Sequence, residues 1–142
     1  MKTYILIAAF ALCTGYAHAQ KLKAAEVPAA VKENFQKQYP SVTVVDWEKE
    51  DGNFEAEFEV GETETSVVYE ASGKLIMTET EIAVSELPKA VGEYLAKNLP
   101  GQKIKEAAKM TDASGTITYE AEVDKADYIF DASGNFIKKE VE

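Results

Sequence analysis

Twenty-five carboxylates, fifteen lysines, one histidine, one cysteine and no arginine supply the ionisable chemistry of this 142-residue chain. Two sets of acids alternate with apolar residues. Glu55, Glu57 and Glu59 follow Phe54, Ala56 and Phe58, and Glu120, Glu122 and Asp124 follow Tyr119, Ala121 and Val123. A period of two places each set on one face of a strand. Carboxylate pairs perform acid–base catalysis when a cleft gives them different environments. A row of similar, solvated acids serves instead to keep strand edges apart, and that is the expectation here. Nucleophilic catalysis lacks its base: Cys13 and His18 are the sole thiol and imidazole, and Ser41, Ser72, Ser114 and Ser133 all fall in predicted turns. Zinc lacks ligands for the same reason. The loops Asp112-Ala113-Ser114-Gly115 and Asp131-Ala132-Ser133-Gly134-Asn135 bring too few oxygens together for a dedicated calcium site. Weak calcium binding or buffering by the acids stays open as the alternative function. No cofactor and no enzyme activity are expected.

The N-terminus reads as an address. Lys2 precedes the apolar run Tyr4 to Cys13, and Ala17-His18-Ala19 has the form of an A-x-A cleavage site. Cleavage after Ala19 would leave 142 − 19 = 123 residues, delivered to the periplasm or secreted. Cys13 and His18 would depart with residues 1–19, and no later apolar run is long enough for a membrane-spanning helix. Loss of Lys2 takes the balance to 14 − 25 = −11. That charge disfavours nucleic acid, whose binding draws on lysine and arginine, and disfavours anionic membrane surfaces. It suits a soluble exported domain or a basic partner.

The elements that carry these acids are written twice. Val27-Pro28-Ala29-Ala30-Val31 returns as Leu87-Pro88-Lys89-Ala90-Val91, and Phe54-Glu55-Ala56-Glu57-Phe58 as Tyr119-Glu120-Ala121-Glu122-Val123. Tyr69-Glu70-Ala71-Ser72-Gly73-Lys74-Leu75-Ile76 returns as Phe130-Asp131-Ala132-Ser133-Gly134-Asn135-Phe136-Ile137. The offsets of 60, 65 and 61 place the length changes in turns, as expected for a duplicated fold. Each copy opens with a helical stripe, Val27, Ala30, Val31, Phe35 and Tyr39 in the first and Leu87, Ala90, Val91, Leu95 and Leu99 in the second. Ser85 is a candidate N-cap, and Pro40 and Pro100 end the helices. Strands are predicted over 42–50, 54–60, 65–70 and 74–82, then over 102–111, 116–123, 126–131 and 135–141, with glycine-bearing turns between them. The fold expected is α+β: tandem αββββ repeats over 20–83 and 84–142, joined in one eight-stranded antiparallel sheet with both helices on one face and the other face open.

This order, with the VPAAV/LPKAV helix starts, the FQKQYP/LAKNLP helix ends, the strand pair VDWEKEDGNFEAEFE and the YEASGKLI/FDASGNFI hairpins, resembles the PepSY-like family of exported bacterial proteins. The family is described as similar in fold to the beta-lactamase inhibitor protein, which grips an enzyme through its sheet. The resemblance implies a non-enzymatic domain. It implies binding of an unidentified protein or peptide through the open face, as in restraint of an exported enzyme. Glu55, Glu57, Glu59, Glu120 and Glu122 are then the candidate acidic rim, and Trp47, Tyr69 and Tyr128 the candidate aromatic contacts. Trp47 also suits a core, and alternation alone does not say which face the helices cover.

Overall fold

The two apolar stripes form ten-residue helices, α1 (Ala29–Gln38) and α2 (Lys89–Asn98), in a computed structural model that describes residues 20–141. The leader expected over 1–19 lies outside those residues. Pro28 and Pro88 precede the first helical turns, where a missing N–H costs nothing. Ser85 caps neither helix. It lies in the short 3-10 turn Val84–Glu86, where Glu86 accepts a hydrogen bond from the Ala83 N–H at 2.8 Å. Glu26 does the same for the Lys23 N–H ahead of α1, also at 2.8 Å. Both helices close on a residue before proline, with Tyr39 N–H bonded to Phe35 O and Leu99 N–H to Leu95 O.

Among the described residues nine strands, rather than the expected eight, make one antiparallel sheet in which every strand pairs with its sequence neighbour. They are β1 (Gln20–Leu22), β2 (Asp46–Glu50), β3 (Asn53–Val60), β4 (Thr63–Tyr69), β5 (Leu75–Glu81), β6 (Glu106–Asp112), β7 (Ile117–Glu122), β8 (Ala126–Asp131) and β9 (Phe136–Val141). The additional strand is β1, whose three residues pair with Lys49, Glu48 and Trp47. Three residues are too few to show a period, so only pairing reveals it. The first strand of each copy is also shorter than predicted. Val42 and Val45 pack on the core from the connection ahead of β2 instead of extending it. The sheet is continuous across the repeats, because β5 pairs with β6 from Met77↔Asp112 to Glu81↔Ala108.

Register sorts the side chains into two faces. On one face Trp47, Phe54, Ala56, Phe58, Val67 and Tyr69 meet Val31 and Phe35 of α1. Ala121, Tyr128 and Phe130 meet Val91 and Leu95 of α2 on the same face. Each of these larger side chains contributes about 1.5–3 kcal/mol by leaving water, so the helices are held by these stripes rather than by intrinsic helix propensity.

The repeated hairpin now has a structural cause. The turns after β4 and β8 run beneath the two helices. A side chain at Gly73 would place its Cβ 2.6 Å from Ala30 O, and one at Gly134 would lie 2.9 Å from the Ala90 Cβ. Both glycines also take φ near +85. Asn34 Nδ2 donates to Gly73 O at 2.7 Å and ties the first turn to α1. Both hairpins shift register at the same place, between Val68 and Tyr69 and between Ile129 and Phe130.

Candidate binding face

The face away from the helices carries the acids. Reading across the ladder, Glu57 opposes Ser66, Ser66 opposes Glu79, and Glu79 opposes Met110. One row further along, Glu55 opposes Val68 and Val68 opposes Met77. In the second repeat, Ala108 opposes Glu120, Glu120 opposes Ile129, and Ile129 opposes Lys138. Strand twist brings these rows together diagonally, so that Glu79 feels the charges of Glu120, Glu55, Asp127 and Glu57.

These acids are not a uniform solvated row. Glu55 and Glu79 are each 4% exposed, Asp127 3% and Ser66 1%, whereas Glu57, Glu120 and Glu122 are half-buried and Glu59 is exposed. Burial pushes the Glu55 carboxyl up to about 7, with Glu57, Glu48 and Glu50 adding repulsion. Ser66 offsets part of that rise: its Oγ is close enough to Glu55 to favour the charged form, although it makes no well-formed hydrogen bond. Burial likewise raises Glu57 to about 7, helped by Glu48 and Asp46 and opposed by Lys21 on β1. Burial, then the charge of Glu120, holds Glu79 well above the usual carboxylate range. Among the described residues no ion pair reaches Glu55, Glu57 or Glu79.

Beside these acids lies a cavity of about 320 Å³. Its walls are mostly apolar, with Val68, Ile76, Met77, Met110, Ile129 and Ile137 prominent. Glu55 lines it from the first repeat, and Glu120 and Lys138 from the second. Glu50 on β2 also borders it. β2 and β9 stand seven strand spacings apart, which in a flat sheet would be roughly 34 Å. Their meeting around one cavity shows that the sheet curls its open face inward. The site therefore requires both repeats.

The predicted contact residues separate accordingly. Glu55, Glu57 and Glu120 come together on the open face. Glu59 sits at the outer end of β3 opposite Glu64. Glu122 is held by Lys105, whose Nζ lies 3.2 Å from its Oε1. Trp47, Tyr69 and Tyr128 are buried beneath the helices, and their rings cannot meet a partner on the open face without dismantling the cores. Tyr69 spends its hydroxyl on Gln38 of α1, and burial pushes its ionisation upward. Alternation identified the two faces. It did not show that the helices take the face bearing all three aromatics.

Sequence reasoning missed Ser66, Glu79 and Asp127. Glu79 lies in Thr78-Glu79-Thr80-Glu81, which reads as a polar edge, and Asp127 interrupts an apolar strand. For Asp127 the signal was parity, since it falls on the face opposite Ala126 and Tyr128; Glu79, between two threonines, gave none. Asp112 and Asp131, the candidate calcium loops, use their oxygens on their own turns. Asp112 Oδ1 accepts from Ser114 N, Ser114 Oγ and Thr116 N, and Asp131 Oδ1 accepts from Ser133 N and Asn135 N. Those bonds hold both carboxyls below their ordinary range. No cluster of three or more metal-ligating side chains occurs among the described residues.

A helix followed by a four-stranded meander, given twice and sharing one open sheet, defines a class of small α+β proteins, and comparison identifies the family. The model of the family described as "Putative beta-lactamase-inhibitor-like, PepSY-like" matches residues 15–77 and again 54–138, so the chain belongs to that family. Among solved structures it is similar to a "putative periplasmic protein" of Bacteroides eggerthii, with TM-score 0.72 and 17% identity over 80% of this chain and 88% of that one. It is also similar to a DUF2874-family protein of Bacteroides uniformis, with TM-score 0.71 and 21% identity over 79% and 87% of the two chains. A BLIP-like protein of Bacteroides fragilis superposes with TM-score 0.65 and 21% identity over 80% and 85%. At these identities the likeness establishes the fold. A search of curated proteins gives no match. Among the described residues no helix is long and apolar enough to cross a membrane.

Proposed function

We propose that this chain is an exported, non-enzymatic binding module that receives a protein or peptide segment on its open sheet face. The observation that carries this is the cavity of about 320 Å³ on that face, walled by side chains of both repeats. An apolar hollow with a few fixed polar groups is the usual form of a ligand site, and a duplicated sheet that curls to make one supplies a reason for the duplication. The description of the similar Bacteroides eggerthii protein as periplasmic agrees with the leader expected over residues 1–19 and supports delivery to the periplasm. The same arrangement suits restraint of an exported enzyme, since a sheet face can cover an active site without chemistry of its own.

The test is capture from a periplasmic extract by the exported chain and by a Met110→Glu variant, which places a charge on the cavity wall. A partner retained by the parent and lost by the folded variant supports the assignment, and that partner then enters an inhibition assay. Equal capture by both chains would show that the open face is not the site.

A further inference from the structure

We propose that the cavity on the open face takes a lysine side chain of a partner polypeptide, its methylene stem along Val68, Met77 and Met110 and its ammonium beside Glu55 and Glu79. This deepens the binding-module reading above and rests on it.

Three features converge. The first is shape and lining. The cavity is mostly apolar, yet Glu55 stands in its wall, and Glu79 lies two residues along β5 from the cavity-lining Met77. An apolar cavity with a buried carboxyl in its wall matches an aliphatic stem that ends in a cation. The second is uncompensated charge. Glu55 and Glu79 are almost fully buried, repel one another, and have no ion-pair partner among the described residues. Without a counter-ion, burial favours their protonated forms, and a cation arriving from outside would let them ionise. The chain's own cation at the cavity, Lys138, is turned to the second repeat, with Nζ 2.6 Å from Glu140 Oε1.

The third feature is Ser66. Its Oγ is the one buried side-chain polar atom without a hydrogen bond among the described residues. It faces the same side of the sheet, between Glu57 and Glu79 in the ladder. A buried hydroxyl without a partner is destabilising until something supplies one. An ammonium has three donors. The two carboxyls and this hydroxyl oxygen lie on three adjacent strands of one sheet face.

The chemistry also selects against neighbours of lysine. A guanidinium is broad and planar and prefers a bidentate fork, whereas these acceptors come from three adjacent strands. Calcium demands six to eight oxygens, and no such cluster is present among the described residues. Net charge of −10 adds long-range attraction for a basic segment.

The test uses the full chain and one acetylated, amidated host peptide with lysine, acetyl-lysine, norleucine or arginine at its centre. Binding is read by NMR from the methyl signals of Met77 and Met110. The lysine peptide is expected to shift both methyls and to bind about tenfold or more tightly than the norleucine and acetyl-lysine peptides, as a charge-assisted bond implies. Glu55→Gln, and separately Glu79→Gln, should remove that preference, while Glu59→Gln, outside the cavity, leaves it unchanged. Equal binding of lysine and norleucine would overturn the lysine assignment and leave the cavity a binding site. Arginine binding as well as lysine would overturn the selectivity argument. Pentylamine binding as tightly as the lysine peptide would replace the polypeptide with a small amine. Failure of every probe to move either methyl would count against the assignment and the binding-face reading together.

Discussion

Where the first repeat carries Trp47 on its opening hairpin, the second carries Ala107, and the two cores are filled differently as a result. In the first, Phe35 meets Trp47 and Phe58 edge-on, with ring centroids 5.4 and 5.0 Å apart, and Tyr39 packs on Phe58 at 4.5 Å. The aromatic cluster thus gathers at the C-terminal end of α1. In the second, Tyr94 stacks on Phe136 at 4.7 Å and meets Phe130 edge-on at 5.5 Å, so the aromatics gather near the last hairpin. One backbone plan accepts two distributions of bulk, because what each core must conserve is volume beneath a helix and not the identity of any one ring.

The open face divides along the same line. The first repeat contributes the buried Glu55 and Glu79, whereas the second adds Lys138 paired with Glu140. Acids line the cavity from both halves, and the second also places a lysine there.

The largest effect expected is at Trp47. Trp47→Ala should cost about 3–5 kcal/mol, the range for removing a large core aromatic, measured by urea unfolding followed in the far-ultraviolet. A loss below about 1 kcal/mol would show that the first core does not centre on this ring. Because Trp47 is the single tryptophan, its fluorescence in the parent chain reports on the first repeat alone. Coincidence of that transition with circular dichroism would show the nine strands unfolding as one unit. Separate transitions would show that the repeats unfold independently.

The hairpin glycines come next. Gly73→Ala drives a Cβ to 2.6 Å from the Ala30 carbonyl at a positive φ, and backbone cannot yield as a side chain does. A cost of about 2–3 kcal/mol is expected. Gly134→Ala meets the Ala90 methyl at 2.9 Å instead and should cost less, about 1–2 kcal/mol. The reverse order in thermal melts would undo the claim that the first turn lies tighter under its helix.

Acidity probes the open face. Glu55 and Glu57 titrate near 7 when folded and near 4.5 when unfolded, so between those values the folded chain holds protons that the unfolded chain releases. Their contribution is therefore full below about 4.5 and is lost as pH rises through about 7. The melting temperature should fall by several degrees across that window, and Glu55→Gln should flatten the fall and raise the melting temperature near neutrality. A melting temperature that climbs over the same range in the parent would contradict the burial of these acids. Asp112 and Asp131 act oppositely: their lowered values add stability that disappears as pH falls below about 3.8.

The smallest contrast is between the two copies of the repeated turn. Asp131→Ala removes a carboxylate that accepts from Ser133 N and Asn135 N, both at 2.9 Å, and should lower the unfolding midpoint. The counterpart Glu70 makes a 3.7 Å ion pair with Lys74 at the surface, so Glu70→Ala should cost less, about 0–1 kcal/mol. Equal losses in chemical unfolding would remove the distinction between the two turns.

By itself the sequence determined the duplication, both helices, eight of the nine strands described and the alternation along the acid-bearing strands, because those follow from local spacing: 3.6 for helices, two for strands, and glycine where the chain must turn left-handed. Pairing partners are non-local, and they decided the rest. The three-residue β1 exists only because β2 offers it an edge. Trp47, Tyr69 and Tyr128 became core because the helices crossed that face, a choice that alternation leaves open. Glu55, Glu79 and Ser66 lie in neighbouring buried rows of one face because register and twist carried residues of three strands to one place, and the cavity beside them formed only when the sheet curled β2 toward β9.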